Sequence, residues 1–106
     1  MPDEPRVSTR PAITDAQDRD RYEAHVDGRL AGVLEYVVKR GRIALVHTEV
    51  RPEHEGQGIG SALVRFALRD ARQRGLGVIA TCPYVNDYLT RHPEDDDIVV
   101  GRRSAG

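Results

Sequence analysis

The stretch "HEGQGIGSALV", residues 54–64, places glycines at 56, 58 and 60 and runs straight into a helical pattern. Glycines spaced this way let a backbone approach something closely, and several consecutive N–H groups are left facing outward. Beside the positive end of a helix they form an anion site, most naturally for phosphate. Two familiar phosphate loops do not fit. A Walker-type loop ends in Gly-Lys-Ser/Thr, whereas Gly58 is followed by Ile59, Gly60 and Ser61, with no lysine. The dinucleotide fingerprint needs a third glycine where this chain has Ser61 or Leu63. Tight packing against a neighbouring element is the alternative role for such glycines.

The helix that follows carries Ile59, Ala62, Leu63, Phe66, Ala67 and Ala71 on one face. Arg72 and Arg74 suit its C-terminus, and Gly75 is a natural C-cap. Working outward, in "DRYEAHVDG" Tyr22, Ala24 and Val26 alternate with Glu23, His25 and Asp27, a half-buried strand that ends at Asp27-Gly28, a hairpin turn signal. "RLAGVLEYVVKR" reads as a second strand closed by Arg40-Gly41, and "RIALVHTEV" as a third. Beyond the helix, "LGVIATC" is short and nearly all apolar, which predicts a central strand covered on both faces. "YVNDYLTR" predicts a short helix stopped before Pro93, and "DIVVG" a final edge strand. The fold class is therefore α+β: a mainly antiparallel mixed sheet with a three-strand meander, then β-α-β. One principal helix and a short C-terminal helix complete it.

The chain has 106 residues, enough for one domain with one modest core. Residues 1–19 hold three prolines and few large apolar groups, and read as a flexible tail. Residues 20–103 form the domain, and 104–106 a disordered end. Net charge is −1 and aromatic content 5%, which argues against nucleic-acid and acidic-membrane partners. The single cysteine, Cys82, excludes an internal disulfide and a thiolate zinc site. The histidines lack ligand spacing, so no metal is expected. No signal-peptide core or membrane span is evident, so a cytoplasmic location is expected.

"VRPEHEGQGIGSALV", residues 50–64, resembles the acyl-coenzyme A binding motif of the GCN5-related N-acetyltransferases. Val50, Pro52, Gly56, Gly58, Ile59 and Gly60 fall in register with it. "TCPYVNDYLTRHPE", residues 81–94, is similar to a compact subgroup in which a cysteine ends the last strand. The resemblance implies an acyl-CoA N-acyltransferase-like fold and acetyl-CoA as co-substrate. It places the pyrophosphate on the backbone of residues 55–61, including Glu55, Gln57 and Ser61. Pantetheine would run beside Glu49 and Val50, with the thioester between that strand and the one ending at Cys82. Asn86 could hydrogen-bond pantetheine, and Arg91 could meet a CoA phosphate. Glu55 stands where family members carry Arg or Gln, which implies weaker or retuned binding.

Acetylating a primary amine requires a base, because the ammonium must first lose a proton. Glu49 and His47, two residues apart on one strand, share a face and are the candidates. Tyr88 could protonate the leaving thiolate. Cys82 could be core filler, a nucleophile that takes the acetyl group first, or an acid near the departing sulfur. The acceptor is an amine, either a small molecule or a protein lysine. The expected activity is direct acetyl transfer from acetyl-CoA; transfer through acetyl-Cys82, or a CoA-binding module with little turnover, are the alternatives.

Overall fold

The computed structural model describes residues 10–101. The first nine residues of the expected tail, and residues 104–106, lie outside the described residues. Five strands form one sheet in the order β1-β2-β3-β4-β5. They are β1 (Ala12–Ala16), β2 (Arg21–Val26), β3 (Arg29–Lys39), β4 (Arg42–Val50) and β5 (Gly77–Ala80). The first four pair antiparallel and β4–β5 is parallel. Helix α1 (Ile59–Arg74) crosses between β4 and β5, and α2 (Pro83–Arg91) follows β5.

The two hairpins form as their sequences dictate. Asp27 and Gly28 have φ of 53° and 79°, and Arg40 and Gly41 have 54° and 77°. Two successive left-handed residues match the right-handed twist of the strands they join. Alternation along β2 and β3 then sends Tyr22, Ala24, Leu34 and Tyr36 to the side of α1. They meet Leu63, Val64, Ala67 and Ala71, all fully buried. Tyr22 packs edge-on to Phe66 with centroids 5.6 Å apart. At Gly32 the helix lies close against β3. A Cβ built there would lie 3.0 Å from the Glu49 carbonyl and 3.1 Å from Ile59 Cγ2.

Three expectations are corrected. Residues 12–16 are an edge strand, not tail. Locally they offer only Ile13 as a large apolar group, but tertiary bonds pin them. Asp15 accepts from the Tyr36 hydroxyl and pairs with Arg74, which also reaches Asp70, the acceptor of the Tyr22 hydroxyl. Burial and these carboxylates push both phenols above the ordinary tyrosine range. The second correction concerns β5, which lies at the sheet edge and is only half-buried apart from Val78. Its apolar run is short because α2 begins at once. The third concerns residues 97–101. Pro93–Ile98 is a 3-10 turn, where Arg72 binds Asp95 and Asp97, and only Val99 bridges to Val78.

On the face away from α1, Glu23 is buried and gathers Arg19 and Arg21, each with Nε 2.9 Å from its carboxylate. The Arg19 bonds hold the Glu23 carboxyl below its ordinary range, Arg21 adds to this, and burial opposes it. In the unfolded chain that carboxyl takes up its proton first as pH falls. The cluster therefore stabilises the fold above the ordinary glutamate pKa, and its contribution is lost as pH drops through the lower folded value. Glu23→Gln is expected to flatten the rise of stability with pH below about pH 5, measured by urea unfolding across pH. Gly32→Ala should destabilise the fold by about 1–3 kcal/mol, because α1 must be pushed off β3. An unchanged urea midpoint would show that the helix yields freely.

Candidate active site

Strand β4 changes partners halfway along. From Arg42 to Leu45 it pairs with Gly77–Ala80 of β5. Then both Thr81 and Cys82 turn their N–H groups to one carbonyl, that of Leu45, at 3.2 Å each. Beyond it β4 has no β5 partner, and the strands splay. The side chain of Asn86 holds the departing end of β5, its Nδ2 donating to the carbonyls of Ala80 (3.0 Å) and Cys82 (3.2 Å).

The same place carries a bulge on the other edge of β4. Glu35 pairs with His47 and Tyr36 with Leu45, so Val46 is the extra residue. One inserted residue reverses the alternation beyond it. Leu45, Thr48 and Val50 consequently face α1, whereas His47 and Glu49 face the opposite side. Thr48 Oγ1 lies 3.4 Å from Cys82 Sγ across the gap. Burial pushes the Cys82 thiol up, but the Thr48 hydroxyl and the main chain at Val85, Tyr84 and Thr48 outweigh it. The pKa falls below the ordinary thiol value. On the far side His47 Nε2 and Glu49 Oε1 are 3.5 Å apart and both are exposed.

The gap opens into a cavity of about 380 Å³ lined by Thr48, Val50, Glu55, Gly56, Gly58 and Tyr84, among others. Gly56 and Gly58 have φ of 83° and 79°, a conformation only glycine adopts readily. They bend the loop so that α1 starts with Gly58 as its N-cap, and no side chain caps it. The N–H groups of Ile59, Gly60 and Ser61 therefore open toward the cavity side with no intrahelical acceptor. Gln57 bonds His54 at 3.0 Å and braces the loop.

Gly60 serves another purpose. A Cβ there would stand 2.5 Å from Tyr84 Oη. The Tyr84 ring lies on the first turn of α1, its hydroxyl 3.5 Å from Ser61 Oγ. Sequence reasoning placed Tyr88 in the chemistry. In the structure Tyr88 is buried and stacked on His92 at 4.0 Å, and the tyrosine lining the cavity is Tyr84. The signal was its place two residues after the strand-ending cysteine, with the helix turning it back toward α1. Arg91 pairs with Asp87 on the exposed side of α2 and does not line the cavity. Among the described residues, no group of three or more His, Cys, Asp or Glu is arranged to hold a metal.

An antiparallel meander, a glycine loop leading into a helix, and a parallel strand that splays from its neighbour define the acyl-CoA N-acyltransferase fold. The model for the GCN5-related N-acetyl-transferase family matches residues 21–98, and the chain belongs to that family. It is similar to streptothricin acetyltransferase from Streptomyces lavendulae, 40% identical over 65 residues, covering 59% of this chain and 34% of the relative. The chain thus spans about a third of the length of that curated relative. Its fold matches a GCN5-like protein from Staphylococcus aureus solved by NMR, with TM-score 0.66, 23% identity, and 89% and 92% of the two chains covered. It also matches a ribosomal-protein-alanine N-acetyltransferase from Brucella melitensis biovar Abortus 2308, with TM-score 0.56, 23% identity, and 85% and 68% covered.

If Tyr84 is what Gly60 accommodates, Gly60→Ala should swing the ring outward and leave the fold within about 1 kcal/mol of the original. Loss of cross-peaks between the Tyr84 ring and residues 60–61 in NOE spectra checks this. A ring still seated on α1 in the variant would contradict it.

Proposed function

We propose that this chain is an acetyl-CoA-dependent N-acetyltransferase acting on a primary amine by direct transfer. The observation that carries the reading is one continuous groove. At one end stands the uncapped start of α1 with its two left-handed glycines, at the other the gap between β4 and β5. The N–H groups at residues 58–61 suit a diphosphate, with α1 adding its positive end. Glu55 also lines the groove, so a carboxylate meets the anion there, as the sequence implies. The unpaired edge of β4 from Val46 to Val50 offers main-chain groups to an extended pantetheine arm. Acetyl-CoA supplies the thioester whose acyl group is transferred.

His47 and Glu49 flank the gap from the face opposite Cys82, so an amine arriving from that face meets them first. Either accepts the ammonium proton, directly or through water, and their mutual contact orients the imidazole. Thr48, which lines the groove, offers a hydroxyl donor for the departing sulfur. The depressed thiol pKa of Cys82 favours a second reading: its thiolate attacks the acyl carbon, the bond to CoA sulfur breaks and CoA leaves as the protonated thiol. The amine then attacks acetyl-Cys82, breaking its C–S bond to give the amide and free Cys82.

Titration with acetyl-CoA should move the amide signals of Gly56–Ser61 first; no change there overturns the reading. With a panel of amines and CoA release as readout, His47→Ala or Glu49→Ala should lower kcat by about 10²–10⁴-fold for whichever is the base. Cys82→Ala retaining most of the rate supports direct transfer; total loss, with an acetylated Cys82 in the quenched parent protein, supports the second route. Glu55→Arg should tighten CoA binding by about two- to tenfold through removal of like charge.

A further inference from the structure

The two edges of the sheet are treated differently. The chain itself covers the β5 edge: Val100 donates its N–H to the Val78 carbonyl at 2.7 Å, and its side chain fills the space a Cβ at Gly77 would need. Strand β1 pairs with β2 on one side, and among the described residues no strand pairs with its other side. Every second residue of β1 therefore offers an unused N–H and C=O outward.

Beside that free edge runs a groove of about 260 Å³ between β1 and α1. Its floor is Ile13, Ala62 and Phe66, and its rim is Arg10, Arg65 and Arg69. Elsewhere Arg19 and Arg21 pair with Glu23, Arg72 with Asp95 and Asp97, Arg74 with Asp70, and Arg91 with Asp87, while Arg29, Arg40, Arg42 and Arg51, like the groove arginines, have no ion pair among the described residues. Among the described residues none of the three rim arginines has a carboxylate partner. On a protein of net charge −1, three unmatched guanidiniums around one groove are a local excess.

We propose that the β1 edge and this groove form a docking surface for an extended acidic segment of another protein. The segment adds a strand to β1, and its carboxylates face Arg65 and Arg69. The spacing fits. Arg65 and Arg69 are one helical turn apart, about 6 Å, and alternate residues of a strand are separated by about 6.6 Å. Acidic residues at every second position therefore meet both arginines while the main chain pairs with β1. Guanidinium forks bind carboxylates with defined geometry, and the apolar floor receives their methylene stems. Charge decides against a second copy of this chain. Pairing two β1 strands about a two-fold axis would bring six unmatched arginines together.

A labelled, end-blocked peptide of alternating glutamate and threonine tests this by fluorescence anisotropy, with a lysine–threonine peptide and a single-stranded oligonucleotide as comparisons. The acidic peptide should bind, and amide signals of residues 12–16 and 62–69 should shift in the NMR spectrum. Arg65→Glu with Arg69→Glu should weaken it by about tenfold or more and remove most of its salt dependence. Both side chains are exposed, and the milder Arg65→Ala/Arg69→Ala pair, checked by thermal melting, separates charge from folding. Equal binding by the variants overturns the proposal. So do shifts confined to other surfaces, tighter binding of the oligonucleotide, and no binding at millimolar peptide.

Discussion

Strand β4 is where the molecule is decided. Up to Leu45 it is an interior strand, paired on both sides. One residue later it gains a bulge against β3 and loses β5 altogether. The bulge reverses which side chains face the helix, and the splay bares the strand's main chain on one edge. Thr48 is thereby delivered to Cys82 and the groove, while His47 and Glu49 are delivered to the opposite face. A regular β4 would have sent His47 and Glu49 to the same side as Leu45. Their imidazole and carboxylate would then not stand across the strand from the groove.

The groove needs both of its walls held, and each is held by unremarkable chemistry. Two glycines in left-handed conformations turn the chain so that α1 starts uncapped. The amide of Asn86 draws the end of β5 toward α2 and away from β4. Tyr84 then lies across the two helix starts. Gly60, the third glycine of the motif, makes room for that ring. The three glycines thus answer two different demands, backbone conformation at 56 and 58 and close packing at 60.

The legible part of this architecture was local. Hairpin turns at Asp27-Gly28 and Arg40-Gly41, the apolar face of α1 and the stop before Pro93 are each set by neighbours in the chain, so they could be read from it. The illegible part depended on distant partners. Residues 12–16 carry almost no strand signal and are held by Tyr36 and Arg74. The short apolar run of β5 suggested a central strand, yet its position at the edge follows from where α2 and Val99 go. The candidate site divides in the same way. The glycine loop is evident; that Tyr84 rather than Tyr88 lines the groove is not, because a nine-residue helix does not announce which of its tyrosines turns inward to the core.

By itself the sequence determined the family, the helix that opens the groove and the residue types available for proton transfer, because these depend on short-range spacing and backbone preference. Which side of the sheet each of those residues serves was decided only by tertiary structure. Side-chain alternation has a period of two, so a single extra residue at Val46 inverts it. Whether that residue bulges or stays in register depends on the pairing with β3, which no local reading of β4 contains.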